Sequence, residues 1–320
     1  MDVIVLAGGF GTRLRPWTES VPKPLLPILD KSMIEHVVDV LPESLVDRVL
    51  IAAGYGVEKM RSHFANTPLP YEVKIIEETE PLGTGGAIAN CKSHLSGGTF
   101  CVINGDLITS LRVEEMLDFH RSNGGIGTIA LWEVEDPSRF GVADYRQESG
   151  KIMRFQEKPP IEEAYSNLIN AGTYILEPEI FNLMPMGAHS IERDIYEDLS
   201  ETGGLNGFPY EGWFVDAGTP GSFIEATQVC IAECKFDSGS VNGDSWFGKD
   251  SENLGLVSGS SVGHSSVVGE GATVTNSVIL DDAEVGAGSI LDGCLIGRGV
   301  RIPEGVEMSG KIVGHDSHVG

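Results

Sequence analysis

Short apolar runs alternate with amphipathic stretches through the first two-thirds of the chain. The apolar runs predict strands and the stretches between them predict helices. The predicted strands are residues 3–6, 48–52, 72–76 and 99–103, and the predicted helices are residues 32–41, 57–64, 85–91 and 221–234. Strands that alternate with helices predict an α/β, Rossmann-like domain with a mainly parallel sheet that is covered on both faces.

The pattern changes near residue 256. Val262, Val268 and Val274 are spaced six residues apart, and a glycine follows each of the first two. An apolar period of six with turn glycines predicts a short left-handed parallel β-helix of about three coils. We therefore predict a catalytic domain at residues 1–235, a polar linker at 236–255 and a β-helix at 256–320. A short solenoid of this kind suits self-association, so we expect a homo-oligomer.

Composition excludes several classes of function. The chain has 320 residues and a net charge of −25, so it lacks the basic surface that binds nucleic acid. It has no apolar run of about 18 residues that would span a membrane. Its first residues lack the basic flank of a signal peptide, and its five cysteines are few and scattered, which predicts a cytoplasmic protein. The acidic excess repels anions over long range, so a phosphate-binding site would need local cations or a metal ion.

A glycine-rich segment carries the strongest signal for chemistry. Gly8, Gly9 and Gly11 follow the first predicted strand, and Arg13 comes two residues later. Glycine lets the backbone approach a phosphate chain, and arginine offers a permanently charged fork that bridges phosphate oxygens. Lys23 stands between two prolines, which stiffen the loop around its charge. The segment has neither the Gly-Lys-Ser/Thr of a P-loop nor the glycine spacing of a dinucleotide fingerprint.

These motifs resemble the sugar-1-phosphate nucleotidyltransferase family, and residues 1 to about 230 follow its pattern. Members join a nucleoside triphosphate to a sugar-1-phosphate and release pyrophosphate. The resemblance implies that Arg13 orients the leaving pyrophosphate and that Lys23 holds the reacting phosphates. The nucleotide-binding residues that it implies are Leu6, Ala7, Gly8, Gly9, Gly11, Thr12, Arg13 and Gly83.

The same resemblance implies a magnesium site. Asp106 ends the motif Asn104-Gly105-Asp106, and Asp216 stands in a later motif at residues 213–220. They correspond to the two metal-binding aspartates of the family. Mg²⁺ prefers hard oxygen ligands, usually one or two carboxylates together with phosphate oxygens and water. We therefore expect Mg²⁺ as cofactor, with Asp106, Asp216, Arg13 and Lys23 as the catalytic set.

Three further motifs resemble the sugar-binding side of the family. The resemblance implies that the backbone of Gly141 contacts the sugar, that Glu157 binds sugar hydroxyls, and that Lys158 binds the sugar phosphate. Asn170 would reach a sugar hydroxyl, and Gly172 completes the same motif. The implied sugar-phosphate-binding residues are Gly141, Glu157, Lys158, Asn170 and Gly172.

The choice of nucleotide and sugar depends on weaker signals. Residues 81–84 and 190–194 are similar to mannose-1-phosphate guanylyltransferases, which favours GTP and mannose-1-phosphate. Transfer of a thymidylyl or uridylyl group to glucose-1-phosphate is the alternative. A non-catalytic regulatory paralogue, an acyltransferase built on the β-helix and a glycosyltransferase are the other hypotheses. The non-catalytic paralogue is disfavoured because the chain retains all four residues of the catalytic set, Arg13, Lys23, Asp106 and Asp216.

Overall fold

The computed structural model describes residues 1–318, so the last two residues of the predicted β-helix lie outside the described residues. The chain forms two compact units: the first comprises residues 1–9 and 37–214, and the second comprises residues 10–36 and the chain from residue 215 onward. Among residues 1–318, no helix is both long and apolar enough to cross a membrane.

Helices and strands are numbered separately in chain order. The α-helices are α1 (Trp17–Ser20), α2 (Met33–Val38), α3 (Val57–Asn66), α4 (Gly83–Cys91), α5 (Val113–Asn123), α6 (Glu197–Glu201) and α7 (Pro220–Ala232). The strands up to residue 216 are β1 (Asp2–Leu6), β2 (Pro27–Ile28), β3 (Lys31–Ser32), β4 (Arg48–Ala53), β5 (Glu72–Glu77), β6 (Phe100–Asn104), β7 (Leu107–Thr109), β8 (Gly127–Glu133), β9 (Gly141–Arg146), β10 (Lys151–Glu157), β11 (Leu168–Leu176), β12 (Leu205–Pro209) and β13 (Phe214–Asp216). The later strands are β14 (Ser240–Asn242), β15 (Ser245–Phe247), β16 (Glu252–Asn253), β17 (Leu256–Ser258), β18 (Ser261–Val262), β19 (Val267–Val268), β20 (Thr273–Thr275), β21 (Val278–Ile279), β22 (Glu284–Val285), β23 (Ile290–Asp292), β24 (Leu295–Ile296), β25 (Arg301–Ile302), β26 (Glu307–Ser309) and β27 (Ile312–Val313).

The first unit is built on a nine-stranded sheet in the order β5-β4-β1-β6-β11-β8-β12-β10-β9. Its first four strands are parallel neighbours, as the alternation of apolar runs and helices predicts. Val3, Ile4 and Val5 of β1 are fully buried, because a strand covered on both faces hides every side chain. The α/β prediction is therefore confirmed for this half of the sheet.

The other half of the sheet is mixed. Strand β11 runs antiparallel to both β6 and β8, and β10 runs antiparallel to β9 and β12. Strands β8 and β12 are parallel. Antiparallel neighbours can be joined by short turns, which is how β9 and β10 follow one another along the chain. This mixed half carries the motifs that the sequence analysis assigned to the sugar.

The second unit contains the predicted β-helix, whose strands form three parallel sheets. Ser261 pairs with Val278, and Val278 pairs with Leu295, so the coil repeats every 17 residues. Within residues 1–318 the strands β15 to β26 make four coils, one more than predicted. The extra coil includes β15 and β16, which lie in the predicted linker at residues 236–255. The apolar period nevertheless predicted the inward positions, since Val262, Val268 and Val274 are all fully buried.

Candidate active site

The carboxyl ends of β1 and β6 lie side by side in the first unit. Leu6 pairs with Asn104 in the parallel ladder, and the Gly105 amide donates a 2.9 Å hydrogen bond to the Leu6 carbonyl. A Cβ at Gly105 would stand 2.8 Å from that carbonyl oxygen, so only glycine allows so close an approach. The turn therefore brings half-buried Asp106 beside the start of the glycine-rich segment at Ala7. Parallel strands bind ligands at this end.

The sugar-side motif of β11 meets the same strand ends. Gly172 has a φ of +66°, and a Cβ there would collide with the side chains of Asn104 and Leu107. The Gly172 amide donates a 2.9 Å hydrogen bond to Oδ1 of Asn170. The residue assigned to a sugar hydroxyl and the segment that carries Asp106 are thus held together through Gly172.

The pairing of strands β9 and β10 brings together Gly141 and Glu157, two of the residues predicted to bind the sugar phosphate. Gly141 pairs with Glu157, and a Cβ at Gly141 would stand 2.9 Å from a carboxylate oxygen of Glu157. The Lys158 ammonium lies 2.6 Å from the other oxygen of Glu157. The Glu157 side chain is 10% exposed whereas that of Lys158 is 54% exposed, so the lysine carries the more accessible of the two charges.

In the second unit, the glycine-rich segment continues into a tight turn. Gly11 has a φ of +61°, and its carbonyl accepts hydrogen bonds from the Leu14 amide and the Thr18 hydroxyl. A Cβ at Gly11 would stand 2.9 Å from Cγ2 of Thr18 and 3.0 Å from Cβ of Lys23. The turn that carries exposed Arg13 is therefore packed directly against the Lys23 loop.

The Lys23 loop also approaches the second predicted metal ligand. A Cβ at Gly218 would stand 2.8 Å from Oδ1 of Asp216 and 3.4 Å from Nζ of Lys23. Gly218 thus leaves room for a carboxylate and an ammonium to face the same small volume. Thr219 then caps helix α7 by accepting a 3.2 Å hydrogen bond from the Ser222 amide, which fixes where the segment turns away.

The predicted site residues divide between the two units. Those in the first unit are Leu6, Ala7, Gly8, Gly9, Gly83, Asp106, Gly141, Glu157, Lys158, Asn170 and Gly172. Those in the second unit are Gly11, Thr12, Arg13, Lys23 and Asp216. Each unit brings together residues that are far apart in the sequence, at glycines that a side chain would disrupt.

Two models of protein families match the chain. The model of the family described as "Nucleotidyl transferase" matches residues 2–233. The chain belongs to the nucleotidyl transferase family. A second model, "GlmU-like, C-terminal hexapeptide", matches residues 245–318, the β-helix.

Individual relatives of this nucleotidyl transferase cover most of its length. It is similar to "Mannose-1-phosphate guanylyltransferase 1" of Arabidopsis thaliana, with 34% identity over 326 residues that cover 100% of this chain and 88% of the relative. It is 37% identical to "Mannose-1-phosphate guanylyltransferase catalytic subunit beta" of Dictyostelium discoideum over 73% of this chain and 66% of the relative. Among solved structures, HddC from Yersinia pseudotuberculosis complexed with GMP-PN matches with 30% identity and a TM-score of 0.61, covering 71% of this chain and 98% of HddC.

One acidic residue of this nucleotidyl transferase was missed by the sequence analysis. Glu78 follows β5, is 8% exposed, and has a carboxylate oxygen 2.8 Å from where a Cβ of Gly8 would stand. Burial raises the pKa of Glu78, and a hydrogen bond from the Leu82 backbone partly offsets that rise. Its Oε1 has no hydrogen-bond partner within residues 1–318. A buried acceptor left open beside the glycine-rich segment makes Glu78 a candidate ligand contact.

The sequence analysis also did not predict that Trp17 anchors the turn that carries Arg13. Trp17 is fully buried, and its indole N–H donates a 2.8 Å hydrogen bond to the Val313 carbonyl of the β-helix. Its ring stacks on His315 with centroids 5.7 Å apart and packs edge-on against Phe223. Within the second unit, the β-helix therefore supports the segment that follows Arg13.

Proposed function

We propose that this nucleotidyl transferase transfers a guanylyl group from GTP to mannose-1-phosphate and forms GDP-mannose and pyrophosphate. The observation that carries the proposal is the alignment of Gly8, Asp106 and Glu78 at neighbouring strand ends in the first unit. The proposal assigns phosphate binding to the Gly8 backbone, metal binding to the Asp106 carboxylate and base binding to the buried acceptor of Glu78, all at the ends of these strands. The full-length similarity to mannose-1-phosphate guanylyltransferases supports the same substrates.

The reaction needs positioning and charge neutralisation more than proton transfer. An oxygen of mannose-1-phosphate attacks the α-phosphorus of GTP in line, a P–O bond forms to the sugar phosphate, and the bond to the β-phosphate oxygen breaks. The attacking oxygen is already anionic, so no general base is required. Arg13 and Lys23 would neutralise charge that builds up on the departing pyrophosphate, and the glycine-rich backbone would donate hydrogen bonds to its oxygens.

The donor set suits Mg²⁺. Asp106 and Asp216 supply carboxylate oxygens, which Mg²⁺ prefers and which leave its other positions for phosphate oxygens and water. Mg²⁺ would supply Lewis-acid neutralisation of the triphosphate charge. The two aspartates would hold the ion, and Lys23 beside Asp216 would limit the net negative charge of that carboxylate before substrate binds.

The buried acceptor at Glu78 favours guanine over a pyrimidine. Guanine presents two adjacent N–H donors, N1–H and the exocyclic amine, and the open Oε1 of Glu78 can accept from one of them. Thymine and uracil present one N–H between two carbonyl oxygens, which a carboxylate repels. The open acceptor oxygen of Glu78 therefore favours GTP over UTP or dTTP.

Glu78→Gln tests this role. The amide retains the size of the side chain and removes one acceptor, so kcat/KM for GTP should fall by about 10- to 100-fold. The ratio of GTP to UTP turnover should fall with it, as measured by pyrophosphate release at equal nucleotide concentrations. The exposed residue Glu58 on α3 supplies the control, because Glu58→Gln should leave both values unchanged. An unchanged nucleotide preference in Glu78→Gln would refute the assignment.

Lys158→Ala tests the sugar-phosphate side. Removing a charge-assisted contact to phosphate should raise the KM for mannose-1-phosphate by about 10- to 100-fold. The KM for GTP should change by less than about 3-fold, since the lost contact is one to the other substrate. Steady-state kinetics with each substrate varied in turn separates the two effects. Equal increases in both KM values would contradict the role of Lys158.

We further propose that the protein is a cytoplasmic homo-oligomer that associates through its β-helix. The five cysteines are all free, which supports a reducing compartment. Leu256 and Ile290 lie on aligned strands of one β-helix sheet through Thr273, and both are exposed. Light scattering of the intact chain and of a Leu256→Glu variant tests this assignment, with a smaller mass expected for the variant.

A further inference from the structure

In the first unit, a chain of hydrogen bonds with a fixed donor-to-acceptor direction runs from Asn170 through Tyr174 to Glu192. The Gly172 amide can only donate, so it fixes Oδ1 of Asn170 toward itself at 2.9 Å. Nδ2 of Asn170 then donates to the Tyr174 hydroxyl at 2.9 Å. That hydroxyl in turn donates to Oε1 of Glu192 at 3.3 Å. The chain must end on a group that only accepts, and the Glu192 carboxylate is that group.

A second branch reaches the same carboxylate from the nucleotide side. The Ile191 amide donates to the Thr84 hydroxyl at 3.0 Å, so the hydroxyl hydrogen of Thr84 is directed to Oε2 of Glu192 at 2.5 Å. Thr84 stands in the first turn of α4, immediately after Gly83. The carbonyl of His189 accepts a hydrogen bond from the Gly85 amide of the same helix. Glu192 is thus linked by hydrogen bonds both to the start of α4, through Thr84, and to Asn170, through Tyr174.

Burial makes this bridge stiff. Tyr174 is fully buried, and burial together with the neighbouring Glu192 raises its pKa well above the usual range, so its hydroxyl stays protonated as a donor. Glu192 is 8% exposed and begins a π-helical turn at Glu192–Tyr196. π-helical turns occur preferentially at functional sites. In a low-dielectric interior, consecutive hydrogen bonds strengthen one another and fix a single orientation.

We infer that Glu192 is a positioning residue that couples the nucleotide segment at Gly83 and Thr84 to the sugar-reading amide of Asn170. This inference rests on the proposed function, because it uses the roles assigned there to Asn170 and Gly83. Glu192 need not touch either substrate. It holds the two binding elements in one geometry, so its loss should affect the KM values of both substrates.

Three variants separate the two branches. Tyr174→Phe removes only the sugar branch and should raise the KM for mannose-1-phosphate about 10-fold while the KM for GTP stays within about 2-fold. Thr84→Val removes only the nucleotide branch and should raise the KM for GTP by a similar factor. Glu192→Gln replaces one acceptor oxygen by a donor, which breaks one branch, and removes the charge that strengthens the hydrogen bond of the other, so it should raise both KM values. Adding Tyr174→Phe to Glu192→Gln should raise the sugar KM by a smaller factor than Tyr174→Phe does in the wild-type protein, because the branch is already weakened.

Tyr71→Phe provides the matched control, since it removes a tyrosine hydroxyl that donates to the Leu41 carbonyl outside this network. It should leave both KM values unchanged. The inference is overturned if Glu192→Gln alters only one KM or neither, or if Tyr174→Phe leaves the sugar KM at its wild-type value. Should Glu192→Gln fail to fold, Tyr174→Phe and Thr84→Val still decide the outcome. Failure of the proposed function would be seen separately, because the wild-type protein would then not use GTP and mannose-1-phosphate. In that case, the KM values of the same variants are measured with the substrate pair that the wild-type protein does use.

Discussion

Asp106→Asn should reduce kcat for pyrophosphate release by about 10²- to 10³-fold or more, while the protein remains folded. The substitution keeps the side-chain volume and removes the negative charge that we assign to Mg²⁺ binding. The charge acts on the triphosphate in the transition state, so the loss should appear in kcat and should be only partly restored by raising the Mg²⁺ concentration. The measurement is steady-state pyrophosphate release across a Mg²⁺ titration, with thermal unfolding as the check on folding.

Two controls make this result specific. Asp118→Asn removes an exposed carboxylate on α5 and should leave the rate unchanged. Asp216→Asn should resemble Asp106→Asn, and the double variant should lose much less than the product of the two single losses, because residues that act as a unit are not additive. Near-normal, Mg²⁺-dependent turnover by Asp106→Asn would show that the metal assignment is wrong.

Lys23→Ala should reduce kcat by about 10²-fold or more. Lys23 packs against the Gly11 turn, and its ammonium faces the same volume as the Asp216 carboxylate. Removing it deprives the reacting phosphates of a point charge and leaves the Asp216 charge less balanced. Single-turnover pyrophosphate release, which excludes product dissociation, measures the effect on the chemical step.

Lys31→Ala supplies the matched control for this prediction. Lys31 lies in the same unit and pairs with Asp237 at 3.1 Å. We expect wild-type rates for Lys31→Ala and partial recovery for Lys23→Arg, which keeps the charge in a different shape. A single-turnover rate for Lys23→Ala within about 3-fold of wild type, a difference of about 0.6 kcal/mol or less, would remove Lys23 from the catalytic set.

The parallel half of the sheet could be predicted because its strands are continuous apolar runs between helices. The boundaries differ by a few residues where tertiary contacts decide them. Helix α4 begins at Gly83 rather than Gly85, and the His189 carbonyl, far away in the sequence, accepts the hydrogen bond from the Gly85 amide. A local pattern contains no such partner, so it cannot place the first turn.

Glu78 and Trp17 could not be predicted from the sequence for a different reason. Glu78 stands in the acidic run Glu77-Glu78-Thr79-Glu80, where nothing local distinguishes the buried carboxylate from its exposed neighbours. Its burial follows from the alignment of the ends of β5, β4 and β1. The partners Trp17 and Val313 are 296 residues apart, so the support of the arginine turn depends wholly on the fold.

The most direct test of guanylyl transfer is pyrophosphate release by the intact protein with GTP, ATP, UTP or dTTP, each paired with mannose-1-phosphate or glucose-1-phosphate. We predict that GTP with mannose-1-phosphate gives the highest kcat/KM, that GDP-mannose forms in equal amount to pyrophosphate, and that chelation of Mg²⁺ stops the reaction. A clear preference for UTP or dTTP with glucose-1-phosphate, or no pyrophosphate from any pair, would contradict it.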